Sequence, residues 1–226
     1  MPSNPKRDLI IFGTSDFAQL AQYYFSRFSD YNVVGFTVDA TYVPEGGEAF
    51  GLPVVPFEEV QDRFPPDSHE MFVAVTYLKL AQLRRDKFLA AKEKGYRLAS
   101  FISDRATVLN DGAIGENCFV FEDNTIQPFV TIGDNVCIWS GNHIGHHSRI
   151  GDHCFVTSHV VISGGVEIGE RCFLGVNSTF RDHVKIGAEC IIGAGAVILS
   201  DAEAGGVYVP KETERARVPS SRIRSL

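Results

Sequence analysis

The stretch IGENCFVFEDNTIQPFVTIGDNVCIWSGNHIGHHSRIG, Ile114–Gly151, decides the fold. Stepping six residues at a time from Ile114 lands on Val120, Ile126, Ile132, Ile138, Ile144 and Ile150, each a large aliphatic. The series continues without insertion through Val156, Ile162, Ile168, Leu174, Phe180, Ile186, Ile192 and Ile198, and backwards to Val108 and Ile102. Four residues after each runs a second series of mostly small side chains, among them Cys118, Ser148, Cys154, Cys172, Ser178, Cys190 and Ala196. The dipeptide Ile-Gly recurs at Ile114, Ile132, Ile150, Ile168 and Ile186, always 18 residues apart. A period of six nested in eighteen describes a three-sided coil with one hexapeptide per side. The aliphatic fills the interior, the small residue fits near the narrow corner, and glycine eases the turn.

The preceding hundred residues follow a different rhythm. LIIFGT (Leu9–Thr14) reads as a buried strand and SDFAQLAQYYFSRF as the amphipathic helix after it. NVVGFTVD (Asn32–Asp39) is a second strand, and LPVVPFEEVQDRF a short strand running into a helix. MFVAVTY (Met71–Tyr77) reads as a third long strand, KLAQLRRDKFLAAKEKG as a helix closed by Gly95, and RLASFI as a last strand. Such alternation predicts a parallel sheet covered by helices. The chain therefore divides into an α/β domain over residues 1–101, an all-β coil over 102–210 and a solvated tail over 211–226.

The bulk numbers narrow the function. With 226 residues, 44% hydrophobic and 22% charged, the chain has the composition of a soluble globular protein. A net charge of −7 argues against nonspecific nucleic-acid binding, which needs clustered Lys and Arg. No apolar run approaches the ~18 residues of a membrane span, and MPSNPKRD leads into a strand rather than a signal-peptide core, so a cytoplasmic protein is expected. Five cysteines without a secretory signal favour free thiols over a disulfide framework. Cys118, Cys154, Cys172 and Cys190 occupy the small interior position and read as packing residues, whereas Cys137 falls out of that register and is expected to be exposed. An acyl-cysteine intermediate is correspondingly not expected.

The hexapeptide run from Ile102 to Pro210 resembles the left-handed parallel β-helix of hexapeptide-repeat acyltransferases. The whole chain resembles the sugar acetyltransferases of the NeuD/PglD type, through IFGTSDFA at the first turn, FTVD after the second strand, GYRLASFISDRATV at the junction, and FLGVNSTF and GGVYVP in the coil. The resemblance implies a Rossmann-like domain that binds a nucleotide-linked sugar, a left-handed β-helix that forms a homotrimer, and acetyl-CoA in a cleft between neighbouring β-helices. Acetyl-CoA is then expected against Gly164, Gly165, Val176 and Ala194.

Five of the seven histidines fall within SGNHIGHHSRIGDHCFVTSH, Ser140–His159. The repeat turns His146 and His147 outward at one corner, above Pro128 and Phe129 and below Gly164 and Gly165. Those glycines would leave room over the histidines for a ligand. The resemblance implies His146 as general base. It places an acid at the next position, where this chain has His147, and a second histidine where this chain has Phe155. A carboxylate would orient an imidazole and raise its basicity, so another group must do the orienting here. An imidazole suits removal of a proton from an attacking sugar amine, and a backbone N–H beside Gly164 or Gly165 can hold the oxyanion. His143 and His159 are assigned to interfaces, His153 and His183 to corners without a specific role, and His69 to an exposed loop. His147 and His183, 36 residues apart, resemble part of the zinc site of the γ-class carbonic anhydrases, but HVKIGAEC supplies no third imidazole and no metal is expected.

In the first domain, Gly13 gives a tight turn into a helix N-terminus, where Thr14 and Ser15 suit a phosphate. Asp39 at the end of the second strand can accept from a ribose or a base, or simply cap the strand. Thr76 and Tyr77 replace the glycine-containing turn of the family, and Tyr77 can stack on the nucleotide. The expected function is acetyl-CoA-dependent N-acetylation of a nucleotide-linked amino sugar of bacterial surface-glycan synthesis, by direct attack in a ternary complex. The alternatives are a sugar O-acetyltransferase, a non-catalytic trimeric scaffold or nucleotide-sugar binder, and a carbonic-anhydrase-like zinc protein.

Overall fold

Leu9, Ile10, Ile11 and Phe12 are all buried, which requires cover on both sides of their strand. A computed structural model, describing residues 7–213 and Arg222, supplies that cover. Strand β1 (Arg7–Phe12) leads to helix α1 (Asp16–Phe28) and strand β2 (Tyr31–Val38). Then follow β3 (Glu48–Ala49), β4 (Leu52–Pro56), the single-turn helix α2 (Val60–Arg63), β5 (His69–Val73) and α3 (Gln82–Glu93). The sheet order is β3-β4-β2-β1-β5, parallel except for the β3–β4 pair. One face buries Phe17, Ala18, Ala21 and Phe25 of α1, the other Phe88 and Ala91 of α3.

Two sequence expectations are corrected here. The third long strand stops at Val73, so Thr76 and Tyr77 belong to the loop beyond it. RLASFI does not add a strand to this sheet: Leu98 makes a single bridge to Met71, and Phe101–Ile102 pairs with Phe119–Val120 as the first rung of the coil. The aromatic Phe101 commits that segment to the junction between the two units, where it stacks on Phe119 at 4.8 Å.

From Phe101 onward the chain builds two-residue strands in three parallel sheets, each strand pairing with the one 18 residues on where the repeat is regular, as in Ile132 with Ile150. The first face carries the strands at 131–132, 149–150, 167–168 and 185–186. The second carries those at 101–102, 119–120, 137–138, 155–156, 173–174, 191–192 and 207–208. The third carries those at 107–108, 125–126, 143–144, 161–162, 179–180 and 197–198. This is the parallel β-helix that the six-residue period requires. From Val120 to Ile198 every member of the aliphatic series is buried. At the start of the coil Val108 and Ile114 are only half-buried and Ile102 is 40% exposed, because the first rungs have a neighbour on one side only.

Polar ladders reinforce two corners. The Asn117 amide donates to Asn135 Oδ1 at 2.8 Å, and Asn135 Nδ2 donates to His153 Nδ1 at 2.9 Å. Asn142 donates through both its backbone and side-chain nitrogens to Asn124 Oδ1, and accepts from Val160 N. These satisfied amides fill positions where an unpaired polar group would be costly.

The second face is covered by the α/β unit. Phe101, Phe119, Phe121, Cys137 and Phe155 pack with Phe17, Phe25 and Phe72 in one aromatic cluster. Cys137 is therefore only 3% exposed, not exposed as expected: it points out of the coil but into the neighbouring unit. Burial pushes the Cys118 and Cys137 thiols up to about 12 and raises Cys154 well above its ordinary value, which keeps these sulfurs protonated. All five cysteines are buried and unpaired.

His153 also departs from expectation. It is 7% exposed, lies against the Phe88 ring at 5.6 Å, and belongs to the junction rather than to a bare corner. Arg84 of α3, itself buried, donates through Nη2 to the carbonyl oxygens of His153 and Cys154 at 2.6 and 2.9 Å. The expected tail over 211–226 falls mostly outside the described residues.

Candidate active site

One corner of the coil joins the third face to the first, the two faces that the α/β unit leaves uncovered. Its rungs are residues 127–130, 145–148, 163–166 and 181–184. Interior Ile144 and Ser148 anchor the rung that carries His146 and His147, and both histidines are exposed. His147 takes the left-handed backbone (φ 61°) that closes the turn, a conformation shared by Phe129 below it and His183 two rungs above. Gln127 Oε1 accepts from the His146 backbone N–H at 2.8 Å, which fixes the height of the histidine.

The two imidazoles meet directly. His146 Nδ1 lies 3.1 Å from His147 Nδ1, with the rings near perpendicular. One nitrogen must donate and the other accept. With the proton on His146 Nδ1, His147 accepts and His146 Nε2 presents a free lone pair. His147 is held in turn by the Phe129 ring, 4.7 Å away. The acceptor function that the resemblance gives to an acid is thus available from His147, without a negative charge.

The glycines above do not stand clear of the histidines. A Cβ at Gly164 would come within 2.7 Å of His146 Cε1 and 2.9 Å of its Nε2, so the imidazole itself lies against Gly164. A Cβ at Gly165 would come within 2.4 Å of His183 Nδ1. The expected open space over the histidines is therefore filled by imidazole, and the glycines are required for that close approach. The two amides also differ. Gly165 N–H donates to the His146 carbonyl at 2.9 Å and is spent on the coil. Gly164 N–H has no partner among the described residues and stays available to an acceptor outside the coil.

The remaining residues lie elsewhere. Val176 and Ala194 are exposed on the corner that joins the second face to the third, where the His159 ring covers Gly141. His143 is half-buried on the third face, and His69 opens β5 with Nδ1 3.0 Å from the Pro65 carbonyl rather than free in a loop. Among the described residues no group of three or more His, Cys, Asp or Glu side chains is arranged to hold a metal ion.

On the α/β unit, Gly13 has φ 120° and a Cβ there would come within 2.8 Å of the Ala74 carbonyl, so the turn tolerates only glycine. Ser15 precedes α1 in extended conformation and its hydroxyl makes no capping bond, leaving the first-turn amides near Thr14 and Ser15 available. The Asp39 carboxylate pairs with Lys87 of α3 and caps nothing. Tyr77 packs on the Phe155 and Phe173 rings at 5.0 and 4.7 Å. This platform adjoins the second face, and the His146 corner lies opposite that face. Within one chain the two are not brought together.

Sequence reasoning missed Gln127 and Arg84 and set His183 aside. The 18-residue register would have found His183, since it stands one rung above Gly165. Nothing in the sequence marks Arg84, which is one cation among several on a helix.

Comparison with known proteins agrees with this architecture. Residues 111–146, 131–164 and 165–200 match the family model of the bacterial transferase hexapeptide (six repeats). The chain is similar to the acetyltransferase domain of PglB from Neisseria gonorrhoeae FA1090, at 24% identity over 89% of this chain and 96% of that one, with a TM-score of 0.78. It is similar to PerB from Caulobacter crescentus, a structure in complex with CoA and GDP-perosamine, at 26% identity over 88% and 92%, with a TM-score of 0.78. WeeI from Acinetobacter baumannii AYE matches at 19% identity over 91% and 97%, with a TM-score of 0.74. No curated protein matches the sequence.

Proposed function

From the match of residues 111–200 to the family model of the bacterial transferase hexapeptide, we propose that the chain is an acetyl-CoA-dependent N-acetyltransferase acting on a nucleotide-linked amino sugar. The observation that carries the reading is the His146–His147 contact, which leaves His146 Nε2 free beside the unpartnered Gly164 N–H. The solved structure of PerB with CoA and GDP-perosamine supports the two substrate classes.

Bound acetyl-CoA supplies an activated acetyl group. His146 Nε2 takes the proton of the attacking amine, and His147 Nδ1 holds the base in the tautomer that can do so. Gly164 N–H stabilises the charge that develops on the carbonyl oxygen. Burial keeps Cys118, Cys137 and Cys154 protonated, and Cys172, which its hydrogen bond with Cys154 lowers, is only 2% exposed and out of reach of a substrate, so direct attack is favoured over an acyl-cysteine route. His147 adds no negative charge, and an uncharged partner suits an amine, already a nucleophile, better than a sugar hydroxyl.

On the α/β unit, Gly13, Thr14 and Ser15 hold the phosphates at the start of α1, and Asp39 with Thr76 borders the nucleoside. Because this platform and His146 lie on opposite sides of one coil, a second copy must bring its platform or its coil to the site. That supports the homotrimer with sites between subunits, and Val176 and Ala194 then line the cofactor cleft with Gly164 and Gly165. Thiol release from acetyl-CoA, measured across UDP-, dTDP- and GDP-linked amino sugars, tests the reading. Turnover with one of them that is lost in His146→Ala is the expected result. Silence with every amine and every hydroxyl acceptor would overturn it in favour of a scaffold.

A further inference from the structure

His183 is the histidine still without a role at this corner, one rung above Gly165. Its Nδ1 and Cε1 lie 2.4 and 2.7 Å from where a Gly165 Cβ would stand, so the ring folds down onto the glycine. From below, the His146 ring folds up onto Gly164. Two imidazoles thus converge on one Gly-Gly dipeptide whose α-carbons are about 3.8 Å apart. The His183 side chain makes no hydrogen bond among the described residues and is exposed. Its Nδ1–Cε1 edge faces the backbone, which turns Nε2 away from the coil.

Resting on the acetyl-transfer reading, we propose that His183 serves the acyl donor: its Nε2–H donates a hydrogen bond to the thioester sulfur as the sulfur departs. The carbonyl oxygen is fixed at Gly164 N–H, and the nucleophile must lie at His146 Nε2, on the lower side of Gly164. The bond to sulfur then projects away from His146, toward the rung where His183 covers Gly165. In the step, the amine nitrogen forms a bond to the acyl carbon, the carbon–sulfur bond breaks with its electron pair on sulfur, and the amine proton goes to His146. The thiolate is stabilised by the His183 N–H and takes its proton from solvent. Gly165 has a definite use here, since any side chain at that position would displace His183.

The test separates this from the parent reading. In His183→Ala, kcat should fall on the order of tenfold or more, the loss expected for one hydrogen bond to a charged atom, with the KM for the acceptor unchanged. His183→Gln, which keeps a donor, should restore most of the rate. Calorimetry supplies a readout independent of turnover: the wild-type protein should bind CoA more tightly than desulfo-CoA, and His183→Ala should bind the two alike. Wild-type kcat in His183→Ala, or an unchanged preference for CoA over desulfo-CoA, would overturn the assignment while leaving His146 in place. A wild-type protein that binds neither molecule and transfers no acetyl group would overturn the parent reading and this one together.

Discussion

His147 and His153 lie six residues apart at equivalent positions of the repeat, and both adopt left-handed backbone, at φ 61° and 63°. His147 is exposed and meets His146, whereas His153 is buried, accepts from Asn135 and lies against Phe88. The coil treats the two alike. What separates them is the α/β unit, which covers one corner and leaves the other bare. A repeat protein built of near-identical rungs acquires a site by covering some corners and exposing others, since each rung contacts only its neighbours along the axis.

Four changes test that contrast. His146→Ala should lower kcat about 10²–10⁴-fold, the range for loss of a general base, with little change in thermal midpoint because the side chain is exposed. Retention of full acetyl transfer would show that the bare corner is not catalytic. Phe119→Ala on the covered side should do the reverse in kind, destabilising by about 3–5 kcal/mol through a cavity in the aromatic junction. Chemical denaturation would read it, and a shift below about 1 kcal/mol would mean that the two units are not packed as one core.

The third concerns pH. Burial, the largest cause, lowers the His153 pKa from its ordinary value of 6.5, with Arg84 and Arg85 adding to the effect against Asp152 and Glu170. Below 6.5 the unfolded chain takes up a proton that the folded chain does not, so stability from this group is complete above 6.5 and falls as pH drops toward the folded value. His153→Asn keeps the amide ladder and tolerates the left-handed backbone. Its unfolding midpoint should lose less between pH 7 and pH 5 than that of the wild type, and equal losses would sink the account.

The smallest effect is expected at His147. His147→Asn retains an uncharged acceptor and should keep kcat within about tenfold, whereas His147→Leu, without an acceptor, should lose more. Equal rates in the two variants would mean that the Nδ1–Nδ1 contact orients nothing.

Much of the fold was legible because a six-residue period admits one solution: large aliphatics inside, small residues at the corners, three faces per turn. The α/β strands were legible from their buried runs, but Met71–Tyr77 was read too long, since a run of apolar and small residues carries no stop signal. Ala74 continues the pattern although the sheet ends at Val73. Cys137 was misread because its register faces out of the coil, and only a second unit packed on that face could bury it.

The sequence by itself determined the coil, its register and the outward placement of His146 and His147. These follow from local periodicity and backbone sterics. The tertiary structure alone decided which corners are covered, that His146 lies against Gly164 and His183 against Gly165 so that both positions need glycine, and that among the described residues Gly164 and not Gly165 keeps a free N–H. Those depend on contacts between residues 18 or more apart, or on packing against a unit that obeys a different period. A repeat specifies equivalent positions, and only the rest of the fold makes them unequal.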